Sequence, residues 1–298
     1  MTRPADLIDA LNGTFGRHKG YRASHAKGFA VQGRFIPLSE APEVAIPALR
    51  TELPIAARFS VGGGKPNMSD KSPSVRGIGL TIGDADLNWS MALISAPVFF
   101  ANSAEQFRAF LAARVPDSEL GGPNLEKVKA FNAAHPNTVP HQEFLKTTPP
   151  CLCYSTEAYH SGHAYQFETP IGTISARIFL DPEAGRVGLT DDEKANLSDD
   201  FLYDTFLQKL GAEVARWTLK LVVANPGDDL QDPTTPWQGT HSEISLGTVQ
   251  IEQADTSEAG QTRVFDPTHM PKGVMAPQDN IFALRSPAYA VSAARRAD

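Results

Sequence analysis

Apolar and polar residues repeat along this chain with two different periods, and each change of period marks a change of element. Leu7, Ile8 and Leu11 recur at helical spacing, which predicts a short helix within residues 1–20. From 29 to 37 the period drops to two, with Phe29, Val31, Gly33 and Phe35 alternating against polar neighbours, the pattern of a strand. Further strands are predicted at 54–61 and 76–82, and one or two within 87–100. Gly62 to Gly64 and Asp84 to Asp86 are the turns between them. Ser103 stands as an N-cap with Gln106 three residues on and Phe107, Phe110 and Leu111 along one face, so a helix follows. Shorter helices are predicted at 125–134 and 142–146. Strands resume at 164–168, 173–180, 214–224 and 244–252, with a helix at 199–210. The last element, 282–296, reads as a helix whose Pro287 sits in the first turn, where a missing N–H does no harm.

About eight strands thus fall in two groups of about four, with helices between and after them. An α+β protein follows, with one antiparallel sheet system closed into a barrel and helices outside it. There is no repeat and no linker, so 1–298 is expected to be a single domain. A barrel of about eight strands can hold one ligand at its mouth. A chain of 298 residues is long enough to bury a sizeable core. The net charge of −7 offers no basic field for nucleic acid, so any anion site must come from local arginines. No apolar run approaches the ~18 residues of a membrane span. Asp6 and Asp9 interrupt the first apolar stretch, which argues against a signal peptide and for a cytoplasmic protein. Cys151 and Cys153, two residues apart, share one side of an extended segment. That is a poor geometry for bonding each other, so two reduced thiols are expected.

Candidate chemistry lies at the two ends. Arg285 and Tyr289 are spaced i, i+4 and share a helix face, with Arg296 two turns beyond Tyr289. A guanidinium against a phenol oxygen favours the phenolate, a hard anionic ligand suited to ferric iron. At the other end Arg22-Ala-Ser-His25-Ala-Lys-Gly28 leads into the first strand, and Arg58-Phe59-Ser60 lies on the second. Phe99, Phe100 and Phe107 are available as an aromatic wall. An imidazole of near-neutral pKa beside a hydroxyl can take a proton from a peroxide and return it to the leaving oxygen. Gly62 to Gly64 is not a phosphate loop, because Pro66 follows Lys65 where Ser or Thr is needed. His160 and His163 have a His-x-x-His spacing but no third ligand nearby. His18, His135, His141, His241 and His269 sit in polar contexts that predict exposure. Asp191 to Glu193 reads as the acidic start of a helix.

These segments together resemble the haem catalases, in particular the short branch of catalase-related peroxidases. Arg22-x-x-His25-Ala-Lys-Gly28 resembles the motif of the distal histidine, and Arg58-Phe59-Ser60 the segment after it. Val75-Arg76-Gly77 and Pro97-Val98-Phe99-Phe100 resemble two core segments, and Arg285-x-x-x-Tyr289 the segment of the tyrosinate ligand. Tyrosine is the known axial ligand of catalase haem. The resemblance implies a catalase-like barrel with haem b, without the C-terminal helical portion of large catalases. It implies His25 as acid/base, Ser60 orienting it, Tyr289 as iron ligand and Arg285 holding Tyr289 as phenolate. Arg22, Arg58 and Arg296 would neutralise the haem propionates, and Phe107 would pack over the haem.

The expected activity is peroxidase: an oxoferryl stage formed from hydrogen peroxide or an organic hydroperoxide and reduced by organic donors, with weak dismutation. Partners are then a small peroxide and an organic reductant, with no nucleic acid or membrane, and a homodimer is expected. True catalase, a hydroperoxide isomerase related to allene oxide synthases, a non-catalytic haem module and a haem-free barrel are the alternatives. Three departures favour peroxidase. Ile94 stands where large catalases carry an asparagine that orients hydrogen peroxide. Ser74 replaces an acid of their main channel, which would make the entrance less polar. Tyr289 is followed by Ala290 and Val291 rather than the usual Tyr-x-Asp, and only nine residues follow Tyr289.

Overall fold

The computed structural model describes residues 2–40, 43–84 and 88–297. Nine strands form the sheet: β1 Gly28–Pro37, β2 Leu53–Val61, β3 Arg76–Ile82, β4 Trp89–Ile94, β5 Tyr159–Thr169, β6 Gly172–Pro182, β7 Ala215–Val223, β8 Glu243–Asp255 and the two-residue β9 Val274–Met275. Their order is β4-β3-β2-β1-β8-β7-β6-β5-β9, and β4 also pairs with β5 through Ile94 and His160. That pairing closes eight antiparallel strands into a barrel, as the alternation implies, and β9 adds to the β5 edge. That one residue pair joins the two ends of the sheet, and β9 covers part of the β5 edge at Gln166 and Phe167.

Eight α-helices occur among the described residues: α1 Pro4–Phe15, α2 Ala104–Ala112, α3 Leu125–Ala134, α4 Val139–Thr147, α5 Asp191–Asn196, α6 Phe201–Ala212, α7 Glu258–Thr262 and α8 Arg285–Ala297. Local chemistry starts several of them. Pro4 opens α1, the Ser103 hydroxyl accepts from the Gln106 N–H at α2, and Thr190 and Glu193 cap α5 reciprocally. The acidic run at Asp191 is therefore a helix start, as expected.

Inside the barrel the inward positions fill one apolar core. Trp217, Leu219 and Leu221 alternate on β7 and are fully buried, against Phe59, Tyr159 and Phe206. A second, smaller cluster lies outside the barrel, where Ile8 and Leu11 of α1 meet Leu111 of α2, with Ala288 and Val291 of α8 packed on it. This three-helix contact covers one side of the cavity described below.

Several expectations change. Among the described residues of 87–100 one strand occurs, β4, and 95–102 is an irregular loop. Pro97 has no N–H to give a ladder and restricts Ala96 before it, so the apolar run there cannot continue β4. The predicted turn at 84–86 and the residue at 87 fall partly outside the described residues. β5 begins five residues earlier than its alternation suggests, because a register shift between His160 and Ala164, with Gly162 at φ 67°, breaks the period. His141 is buried, its Nδ1 2.9 Å from the Val98 carbonyl. His18, His135 and His241 are partly covered, and His269 alone of the five is exposed. Cys151 and Cys153 are buried and unbonded, as expected, but they precede β5 rather than lying on a strand. Among the described residues no helix is long and apolar enough to cross a membrane, and no cluster of three His, Cys, Asp or Glu side chains could hold a metal ion.

Candidate active site

One cavity lies between the outer faces of β2 to β4 and helices α1, α2 and α8. His25, Arg58, Ser60, Gly77 and Ile94 line one side, and Arg285 and Tyr289 line another. The pairing of β1 with β2 and of β2 with β3 explains how residues far apart in sequence meet. Gly28 opposes Ser60, Ser60 opposes Gly77, and Gly77 opposes Ile94. Just before β1 the chain turns through His25 at φ 53°, the only non-glycine residue in the left-handed region among those described. This conformation is costly for a residue with a Cβ. Arg58 holds it, donating from one Nη to the His25 carbonyl at 2.9 Å and from the other to the Ala26 carbonyl at 3.0 Å.

The His25 ring is fixed from below. Its Nδ1 lies 2.9 Å from Ser60 Oγ, and the Ser60 hydroxyl donates to the Gly77 carbonyl at 3.3 Å. With the hydroxyl proton so placed, Nδ1–H donates to Ser60, and Nε2 keeps its lone pair. Gly77 makes the arrangement possible, since a Cβ there would come within 2.7 Å of the imidazole. Burial, followed by the charges of Arg58, Arg285 and Arg22, pulls the His25 pKa down to about 4. The ring is therefore neutral at pH 7 and able to accept a proton.

A pH profile tests this. Peroxide-dependent turnover is expected to be flat from neutral pH downward and to fall only well below pH 6, as Nε2 becomes protonated. Burial, the larger cause, persists with a cofactor in place. A limb at the ordinary histidine value of 6.5 would show that burial does not hold the ring neutral.

On the other side, α8 presents Arg285, Ala288, Tyr289, Ser292, Ala293 and Arg296 to the cavity, the helical stripe expected from their spacing. Arg285 Nη2 donates to Tyr289 Oη at 2.8 Å, a bond that is strongest when the oxygen is anionic. Burial opposes the Arg285 charge, but Tyr289, Tyr165 and Asp279 outweigh it, so its pKa is raised and it stays cationic.

Sequence reasoning missed the pair behind Arg285. His163 Nδ1 lies 2.7 Å from Asp279 Oδ2, with both side chains almost fully buried. Asp279 Oδ1 also accepts from the Ile281 and Phe282 N–H groups. Burial, countered by Asp279, lowers the His163 pKa. Asp279 is also lowered, because His163 and the two backbone bonds outweigh its own burial. The pair is thus a neutral imidazole donating to a carboxylate, and His163 reaches the cavity wall. Its partner lies 116 residues away, so no local spacing could signal it. Neither His160 nor His163 belongs to a group of three potential metal ligands among the described residues.

Arg22, Arg58 and Arg296 also line the cavity, and among the described residues no Asp or Glu does. Burial and then repulsion from Arg58 and Arg296 bring the Arg22 pKa down to about 9. Burial is the main cause at Arg58, about 10, and at Arg296, which is also lowered. Arg58 Nε is buried without a hydrogen-bond partner. Crowded guanidiniums, an orphaned donor and no acid describe a pocket made for a dianion with an apolar body. The two propionates and flat ring of a haem meet both requirements.

Phe107 packs at 5.0 Å from Phe100, which packs at 4.4 Å from Phe99, and all three reach the cavity. Ile94 faces it beside His25. Ser74, expected at the entrance, does not line it. Its carbonyl accepts from Arg76, and Ser74 borders a separate small recess with Ser72, Ser95 and Glu157. The β3–β4 pairing turns Arg76 and Ser95 away from the face that carries Gly77 and Ile94.

Comparison with known proteins gives the family and the fold. The family model for catalase matches residues 7–297. The chain belongs to the catalase family. It is 29% identical to a protein named catalase-related peroxidase from Synechococcus elongatus, over 98% of this chain and 88% of that one. It is also 29% identical to a catalase-related peroxidase from Mycolicibacterium paratuberculosis, over 97% of this chain and 93% of that one. Among solved structures, a fungal catalase superposes with a TM-score of 0.83 at 18% identity, covering 94% of this chain but 60% of the fungal one. The catalase fold is therefore shared, at about three-fifths of that enzyme's length.

Proposed function

We propose that this catalase-family chain is a haem b peroxidase that reduces hydrogen peroxide or organic hydroperoxides with electrons from small organic donors. The observation that carries the reading is the placement, across one cavity, of a neutral oriented imidazole and a phenol held by a guanidinium. Haem supplies an iron and a conjugated ring that take up the oxidising equivalents of the peroxide. Tyr289 would hold the iron through its phenol oxygen, with Arg285 keeping that oxygen anionic. Arg22, Arg58 and Arg296 would take the propionates, and Phe107 would cover the ring on the His25 side.

His25 Nε2 takes the proton of the bound hydroperoxide and holds it while the O–O bond lengthens. It then returns the proton to the leaving oxygen, which departs as water or an alcohol. Ser60 keeps Nδ1–H engaged, so the proton exchange is confined to Nε2. Overall, one hydroperoxide takes two electrons and two protons and leaves as alcohol and water. Two donor molecules each lose one electron and one proton.

Ile94 decides between peroxidation and dismutation. Dismutation needs a second hydrogen peroxide held as reductant, and Ile94 offers no hydrogen bond beside His25. Turnover of hydrogen peroxide and of a bulky alkyl hydroperoxide, each with and without a chromogenic donor, tests the reading. Donor oxidation is expected to exceed oxygen release with hydrogen peroxide, and oxygen release in excess would make the chain a catalase proper. Ile94→Asn is expected to raise the ratio of oxygen release to donor oxidation several-fold, about what one added hydrogen bond supplies. We also infer a homodimer working in the cytoplasm, where two free thiols stay reduced.

A further inference from the structure

Part of the apolar wall on the His25 side of the cavity hangs on a loop rather than a strand. Phe99 and Phe100 lie in the irregular stretch that follows β4, and with Phe107 of α2 they line the cavity. Pro97 has no N–H to give, so the stretch takes its hold from other groups. The Phe99 N–H donates to the Pro233 carbonyl at 2.8 Å. The Val98 carbonyl, on a residue only 1% exposed, accepts from His141 Nδ1 at 2.9 Å. A carbonyl can only accept, so the imidazole carries its proton on Nδ1. Burial, countered by this bond and reinforced by Arg114, lowers the His141 pKa, and the ring is neutral at pH 7.

His141 does not line the cavity, and the proton transfer described above does not use it. Its ring packs edge-on against Phe100, with centroids 5.8 Å apart. Phe100 in turn contacts Phe99 at 4.4 Å, Phe110 at 4.6 Å and Phe107 at 5.0 Å. One side chain thus holds the loop backbone and braces the central ring of the wall. The helix that carries it, α4, is itself tied down. Gln142, the next residue, exchanges amide bonds with Asn132 of α3, both at 3.0 Å, and accepts from Arg114 at 2.7 Å. A group held on a rigid element sets geometry more closely than one on a loop.

We propose that His141, acting through the Val98 carbonyl, is a positioning residue that sets how far Phe99 and Phe100 stand from His25. It thereby favours hydroperoxides with a small group on the peroxide oxygen over branched or aromatic ones. The inference deepens the peroxidase reading above and rests on it. Without the imidazole donor the buried Val98 carbonyl is left unpaired, which is costly. The loop relieves that cost by turning the carbonyl toward water, and Phe99 and Phe100 move with it. The wall recedes from His25, and a bulkier hydroperoxide fits.

The test is kcat/KM of the holoenzyme for hydrogen peroxide, tert-butyl hydroperoxide and cumene hydroperoxide, with one chromogenic donor at saturation. His141→Phe keeps a ring against Phe100 but has no donor. Its ratio of cumene hydroperoxide to hydrogen peroxide kcat/KM is expected to rise about three- to tenfold, the scale of one lost hydrogen bond. His141→Asn places an amide N–H where Nδ1 stood, and its ratio is expected to stay within about twofold of the parent on the same scale. His141→Leu, also without a donor, shifts the ratio in the same direction and stands in if the phenylalanine variant does not fold. A second readout needs no turnover. Cyanide and 4-phenylimidazole, iron ligands of different size, are titrated into each holoenzyme and followed by the Soret band. The variants without a donor are expected to bind 4-phenylimidazole about three- to tenfold tighter, and cyanide within about twofold of the parent. An equal loss for every hydroperoxide, an unchanged or falling ratio, no gain in 4-phenylimidazole affinity, or a shift in His141→Asn equal to that in His141→Phe overturns the role of His141 and leaves the peroxidase reading intact. Absence of turnover of every hydroperoxide by the parent overturns that reading, and this role with it.

Discussion

Replacing His25 with alanine is expected to lower kcat/KM for a hydroperoxide by about 10²–10⁴-fold, the usual contribution of a positioned acid/base, with cofactor content unchanged. The reasoning is geometric first. Nε2 of His25 keeps its lone pair toward the cavity, because Nδ1 is spent on Ser60. It is also neutral at pH 7, since burial has pulled its pKa down to about 4. Ser60→Ala leaves the base in place but loosens it. The expected cost is about fivefold, the worth of one ordinary hydrogen bond, with the acid limb of the pH profile moved. Stopped-flow mixing with excess hydroperoxide measures both. If His25→Ala turns over within tenfold of the parent, proton transfer belongs to water or another group, and the acid/base assignment fails.

Much of this was legible in the sequence, because barrels and helices are written in short periods. The alternation in β1, β2, β3 and β7 located those strands, and antiparallel pairing then brings His25, Ser60 and Gly77 together. The i, i+4, i+11 spacing of Arg285, Tyr289 and Arg296 put them on one helix face. What escaped had no local signal. The left-handed turn at His25 is imposed by Arg58 from 33 residues away, not by a glycine at the turn. The His163–Asp279 pair depends on β5 meeting the segment before α8, and the bulge in β5 hid the start of that strand, where His163 lies. Ser74 lies outside the cavity although Gly77 of the same motif lines it, because the pleat sends alternate residues to opposite faces.

Replacing Tyr289 with phenylalanine is expected to abolish stable haem binding, whereas His25→Ala should leave it intact. The phenol oxygen is the one side-chain oxygen on α8 held by a guanidinium, at 2.8 Å from Arg285 Nη2. Phenylalanine keeps the ring and its packing but removes the atom that would meet the iron. Loss of a supporting group around a metal ligand typically costs 10–100-fold in affinity, so Arg285→Ala is expected to fall in about that range and Tyr289→Phe beyond it. Titration of the apoprotein with haem, followed by the Soret absorbance, separates the three variants. The arginine set gives an internal control. Arg22, Arg58 and Arg296 stay in place, so Tyr289→Phe should still capture haem weakly, with an altered spectrum and faster loss to a competing haem acceptor. Stoichiometric binding with the parent's spectrum would mean that the iron takes its ligand elsewhere. The placement of Arg285 against Tyr289 would then be a packing contact of α8 rather than one half of the site.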